Sequence, residues 1–151
     1  MQPCAHHHVC KASAIKAAKN ACAKAGARFT KSRQDVFEVL WEGHQALTAS
    51  EIMEITGNKQ PPMTYRSLEF LKEQGLIHYI ASLNAYVGCL HVQNGNHVGQ
   101  MMVCTSCRTV TEVDANGALP ELFKVAEYLK FNVHETHIEM LGLCTNCEGL
   151  K

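Results

Sequence analysis

No stretch of this 151-residue chain approaches the ~18 consecutive apolar residues that a membrane-crossing helix needs. Met1 to Val9 is polar and histidine-rich, without the apolar centre of an export signal, so the expected compartment is the cytoplasm. Net charge is missing too. Fourteen Lys and Arg balance 14 Asp and Glu, which argues against a uniformly basic nucleic-acid coat. There is no nucleophile–base pair and no phosphate-cradling glycine loop, so the chain is not expected to be an enzyme. The zero average hides a split. Residues 1–88 hold ten Lys and Arg against seven Asp and Glu, and residues 89–151 hold four against seven. Any polyanion therefore belongs on the N-terminal half.

Cysteine, by contrast, is abundant, with eight in the chain. Four form two pairs, Cys104-Thr-Ser-Cys107 and Cys144-Thr-Asn-Cys147, each after a strand-like run. Two residues between cysteines let one tight turn aim both sulfurs at one ion, and two such turns complete a tetrahedral Cys₄ zinc site. Residues 108–143 between the pairs are too many for a simple ribbon and must fold into a unit that brings its own ends together. The competing readings are two redox dithiols or two disulfides. Redox pairs usually open a helix, whereas polar turn residues follow both pairs here. Structural disulfides belong in oxidising compartments.

Punctuation along the chain divides it further. Residues 1–10 read as a mobile tail, in which Cys4, His8 and Cys10 are incidental candidates for a soft metal. Residues 11–25 read as a helix with Ile15, Ala18, Cys22 and Ala25 on its buried stripe, stopped by Gly26. Thr30 caps a second helix carrying Val36, Phe37, Val39, Leu40 and Trp41, ending near Gly43. Thr48-Ala-Ser-Glu51 is a capping box, so a third helix starts at Ala49, with Ile52, Met53 and Ile55 as its apolar face and Gly57 as its stop. Pro61-Pro62 opens a fourth helix, with Leu68 and Leu71 inward and Gly75 at its end. Helix, short turn, helix is the helix-turn-helix pattern. Two strand candidates, residues 76–80 and 85–89, follow and complete a winged helix over residues 11–89.

Residues 90–100 read as a linker. Residues 101–151 read as a second unit of α+β type, with strands at 101–104, 108–113 and 131–141 and a helix at 119–130. Leu122, Val125, Ala126 and Leu129 form the apolar stripe of that helix. A unit of roughly 50 residues cannot hold together by apolar burial alone, so zinc and a second copy of the chain are expected to supply the rest.

Position within these elements singles out further residues. Tyr65 and Arg66 stand on the first turns of the fourth helix, the part of a recognition helix that reaches base edges in the major groove. Arginine pairs bidentately with guanine, and tyrosine packs on thymine methyls. Arg28, Lys31 and Arg33 suit phosphates. The plainer alternative makes Tyr65 a core residue and Arg66 a solvated charge. His78, Cys89, His97 and Glu112 have metal-ligand chemistry, but spacing alone leaves each an ordinary reading: a strand histidine, a buried thiol, a loop histidine and a surface carboxylate. His91, His134, His137 and Glu139 make no complete ligand set and read as strand-surface residues.

The segment Arg28-Phe-Thr-Lys-Ser-Arg33, the run Met63-Thr64-Tyr65-Arg66-Ser-Leu68, the exit Gly75-Leu-Ile-His78 and the two Cys-x-x-Cys pairs resemble the ferric-uptake-regulator superfamily over residues 12–148. Tyr86-Val-Gly-Cys89, followed by His97, is most similar to its zinc-uptake-regulator branch. The resemblance implies a bacterial cytoplasmic repressor that binds palindromic double-stranded DNA as a homodimer, with Zn²⁺ as corepressor and two zinc ions per subunit. It implies a structural zinc on Cys104, Cys107, Cys144 and Cys147 and a sensing zinc on His78, Cys89, His97 and Glu112. It also places Thr64, Tyr65 and Arg66 in the run that reads DNA. Iron sensors of the superfamily carry a dense histidine cluster in the linker, where this chain has only His91 and His97. Sensors of iron, manganese or peroxide within the superfamily, a zinc-stabilised protein-interaction module and a thiol oxidoreductase are the alternatives.

Overall fold

The structure, a computed structural model, describes residues 7–42, 45–89, 99–113 and 119–149, with side chains from Lys11 onward. The first helix, α1 (His7–Lys24), begins inside the segment expected to be a tail. Its buried stripe is Ala14, Ala18 and Cys22, while Ala25 is exposed. These small side chains let α1 lie close against α2 (Lys31–Glu42), which buries Val36, Phe37 and Leu40. The Thr30 carbonyl accepts from Gln34 N at 2.9 Å, the first bond of α2.

The capping box forms at α3 (Ala49–Thr56). Thr48 Oγ1 accepts from Glu51 N at 3.3 Å, and the Glu51 carboxylate accepts from Thr48 N at 2.7 Å. Arg108 and then Thr48 stabilise that carboxylate, lowering its pKa to about 2. Gly57 closes α3 at φ 67°. Of the expected apolar face only Ile52 is fully buried, and Ile55 is exposed, because so short a helix turns one narrow stripe inward. Helix α4 (Pro61–Glu73) opens on its two prolines and buries Thr64, Ser67, Leu68 and Leu71. The wing follows as an antiparallel pair, β1 (Ile77–Ile80) and β2 (Ala85–Gly88), with His78 opposite Val87. A 3₁₀ turn, Ala81–Leu83, and Asn84 in the left-handed region join the strands.

A second sheet has the order β4-β3-β5. The central strand β3 (Gln100–Cys104) runs antiparallel to β4 (Val110–Val113), with Met101 opposite Glu112. It runs parallel to β5 (Ile138–Gly142), the parallel return being made through α5 (Leu119–Tyr128). Two expected strands are shorter than anticipated. Residues 132–137 have no regular structure, so β5 starts only at Ile138, and β4 starts at Val110 because Arg108 takes φ 60°. A non-glycine residue there costs about 1 kcal/mol and turns the chain out of the strand direction.

The two halves share an apolar cluster. Ala46, Ile80, Ala85 and Val87 of the first pack with Met101, Val103 and Val110 of the second. Helix α5 has no buried residue. Its Leu122 and Val125, with Leu129 just past its end, lie open beside Tyr128 and Phe131 within a single chain. Among the described residues no helix is long and apolar enough to cross a membrane.

Candidate metal centres and DNA-reading helix

The four cysteines of the two pairs come together. Cys104 ends β3, Cys107 follows one tight turn later, Cys144 lies just past β5, and Cys147 sits on the one-turn helix α6 (Thr145–Glu148). Their sulfurs all lie within 4.8 Å of one another, and Cys107 Sγ is 3.7 Å from Cys144 Sγ. A tetrahedral ion with bonds of about 2.3 Å sets ligand sulfurs about 3.8 Å apart, so that spacing suits zinc. A disulfide needs sulfurs about 2.05 Å apart, and all four cysteines are free thiols. Polar residues do follow the first pair. The second pair, however, lies on a helix that Cys144 N-caps, so helix context alone did not separate zinc from redox use.

The electrostatics of the cluster favour a cation. Backbone N–H groups of Cys107 and Cys144 point at Cys104 and lower its thiol pKa to about 6. Thr109 lowers that of Cys107. Ser106 pulls Cys147 the same way, but the neighbouring thiols Cys144, Cys107 and Cys104 outweigh it and push Cys147 up to about 12. Four adjacent thiols cannot all ionise unaided, and a divalent ion removes the conflict.

The second set is assembled from both halves. His78 stands on β1, Cys89 just past β2 and Glu112 on β4, and one donor atom of each lies within 4.8 Å of the others. His78 Nε2 is 3.1 Å from Glu112 Oε1, and both side chains are nearly covered. Cys89 is fully buried, its N–H bonded to the Leu76 carbonyl at 3.0 Å. The imidazole, thiol and carboxylate are three donors of the kind a tetrahedral zinc shell takes. His97 lies outside the described residues, as do His91 and the side chains of Cys4, His8 and Cys10. His134, His137 and Glu139 line a common cleft with Lys72 and His78. Glu139 is engaged there, accepting from Ala81 N at 2.6 Å and Ser82 N at 3.0 Å, and His137 sits 3.0 Å from Glu135. Among the described residues they form no third ligand cluster.

The residues expected at DNA fall into two groups. Tyr65 and Arg66 project from the first turns of α4 and are exposed, as are Arg28 and Lys31. Lys31 pairs with Asp35 one turn on. Thr64 is fully buried and its hydroxyl accepts from Asn58 Nδ2 at 3.1 Å, so it holds the turn between α3 and α4 rather than facing outward. Arg33 is half-buried. Its guanidinium lies 3.3 Å from the Phe70 ring centroid and donates to the Arg28 carbonyl. Sequence reasoning takes Arg108 only as a polar turn residue after the first cysteine pair. A charged residue straight after a cysteine pair carried no positional signal, yet its guanidinium makes a bidentate pair with Glu51.

A winged helix joined to a sheet, with metal-ligand side chains converging from both, is the architecture of a metal-binding, DNA-binding regulator. A profile of the ferric uptake regulator family matches residues 24–141. The chain is 31% identical to the zinc uptake regulation protein of Escherichia coli (strain K12) over 134 residues, covering 86% of this chain and 78% of that protein. It superposes on a zinc uptake regulator complexed with zinc and DNA at a TM-score of 0.85 and 29% identity, covering 96% of this chain and 97% of that one. On holo XcZur the TM-score is 0.84, at 28% identity and 91% and 98% coverage. On apo XcZur it is 0.52, at 27% identity and 91% and 97% coverage. The chain belongs to the ferric uptake regulator family, and is thus a transcription regulator and not an enzyme.

Proposed function

We propose that this regulator is a zinc-responsive repressor that binds palindromic operator DNA as a homodimer, with Zn²⁺ as corepressor, and controls zinc-uptake genes. The observation that carries the reading is the convergence of His78 and Cys89 from the wing with Glu112 from the second sheet. Zinc supplies a double positive charge that thiolate, imidazole and carboxylate can share; Cys89 favours it over iron or manganese. With these residues drawn together, the angle between the two halves is set. In a dimer that angle sets the spacing of two α4 helices against two half-sites. The corepressor need not touch DNA; it has only to bind the DNA-competent arrangement better than the open one. A near-complete switch takes ~10⁴-fold differential affinity, about 5.5 kcal/mol, within reach of several direct ligands. The better match to holo than to apo XcZur supports the reading that this arrangement is the closed one. The open apolar faces of α5 and β5, with Leu122, Tyr128, Met140 and Leu141 exposed, support the dimer.

The direct test is binding of a fluorescent promoter duplex against free metal concentration. Zn²⁺ should switch binding on, and Fe²⁺ and Mn²⁺ at equal free concentration should not. Activation by either of those instead would make this a sister sensor of the same family. On the DNA face, Arg66→Ala should cost roughly 1–3 kcal/mol on the operator and much less on random DNA. Lys31→Ala should weaken both alike and lower the salt slope by about one unit. Wild-type discrimination in Arg66→Ala would remove Arg66 from base reading.

A further inference from the structure

We infer that Arg108 and Glu51 form a latch that docks the four-cysteine knuckle onto the helix-turn-helix, making the Cys₄ site a second determinant of the DNA-reading geometry. The inference rests on the reading above, in which the angle between the halves governs DNA binding.

Arg108 is held at its base by the knuckle. It follows Cys107 directly, and its N–H bonds to the Cys104 carbonyl at 3.0 Å. Its left-handed backbone turns the residue toward the N-terminal half. The Arg108 carbonyl then accepts from Ala46 N at 3.3 Å, and Thr109 bridges to Gln45. The guanidinium donates from Nη1 to Glu51 Oε1 at 2.7 Å and from Nη2 to Glu51 Oε2 at 2.9 Å. Nη2 also donates to the Ala46 carbonyl at 2.9 Å. This is the planar fork that fixes direction as well as distance.

Glu51 is equally well anchored at the other end. The same carboxylate takes the Thr48 N–H and hydroxyl in the capping box that starts α3. One side chain therefore closes the first helix of the helix-turn-helix and receives the knuckle. An exposed ion pair between two mobile side chains contributes little. Here both partners are fixed by backbone bonds, so moving one moves the other.

The latch lies apart from the His78–Cys89–Glu112 cluster. On β4 the latter is reached at Glu112, opposite Met101, while Arg108 lies before the strand begins at Val110. Glu139 adds a third tie, from β5 to the backbone at Ala81 and Ser82. Held at one point, the halves could still swivel; held at separated points, they have one orientation. Arg108 is thus a positioning residue that acts on DNA through Glu51 and α3.

The test compares Glu51→Gln, Arg108→Ala and the double variant as full-length proteins. Glutamine still serves the capping box, so the first variant weakens the ionic fork and spares the helix start. Metal content and dimerisation should be as in the wild type. Affinity for a palindromic duplex, selected from a random pool by the zinc-loaded wild type, should fall about tenfold in each single variant. The double variant should be no worse than the weaker single, since both break one contact. By linkage, the apparent affinity for the second zinc should fall by a similar factor, which a loss of local stability alone would not cause. Wild-type DNA and zinc affinities in Glu51→Gln, or fully additive losses in the double variant, would overturn the latch. If the wild type itself shows no zinc response, the corepressor reading fails. A fall in DNA affinity on breaking the pair would then still support the latch, and no fall would sink it too.

Discussion

A Cys107→Ser or Cys144→Ser substitution is expected to release one zinc per subunit, dissociate the dimer and abolish cooperative unfolding of the second half. The size of the effect follows from what else holds that half. Helix α5 buries nothing, and the second sheet contributes only Met101, Val103, Cys104 and Val110, with Gln100, to the buried interior. A structural zinc is worth on the order of 10 kcal/mol or more of folding free energy, which this interior cannot replace. Replacing one thiolate also leaves three close thiols without the ion that reconciles them. Metal analysis, sedimentation and thermal melting together test the assignment. A stable dimer with unchanged zinc content would remove the Cys₄ site. The damage should extend to DNA binding, since Arg108 takes its position from the same turn.

The second large effect is expected at the other centre and should leave folding alone. Cys89→Ser or His78→Ala should keep the Cys₄ zinc and the dimer, because the four cysteines and the proposed dimer faces of α5 and β5 lie in the second half. Operator affinity should fall by orders of magnitude and fail to recover with excess zinc, since the ligands joining the wing to Glu112 are broken. The measurement is a zinc titration followed by anisotropy of an operator duplex, with the dimer checked by sedimentation. Full zinc activation of Cys89→Ser would sink the corepressor mechanism. Collapse of the dimer would instead make this second site structural and move the search for the sensor to the His91, His134 and His137 region.

The order of the elements was legible because its signals are local. The Thr48–Glu51 capping box, Gly57, the Pro61-Pro62 start and Gly75 act within one helical turn, and each is found where expected. The Cys-x-x-Cys pairs are equally local, since two intervening residues suffice to aim two sulfurs. Mistakes arose where a residue's role depends on what packs against it. Thr64 shares the exposed-looking turn of Tyr65, but faces Asn58 and the core. Arg33 suits a phosphate by residue type, but its stacking on Phe70 cannot be inferred from α2 alone. The apolar stripe of α5 is legible from its spacing, but what covers it is not, since a single chain leaves it open.

By itself, then, the sequence determined a winged helix-turn-helix followed by a small α+β unit closed by four cysteines. Short-range sterics, caps and ligand spacing are sufficient for that. Resemblance points to His78, Cys89, His97 and Glu112 as one set, of which His97 lies outside the described residues, while spacing leaves each an ordinary residue. Only the tertiary structure brings His78, Cys89 and Glu112 within ligand distance, because their meeting depends on the register of two sheets and on how the halves dock. The Arg108–Glu51 pair was invisible for the same reason. It joins residues 57 apart in the chain, and no local rule of turn, cap or periodicity reaches that far.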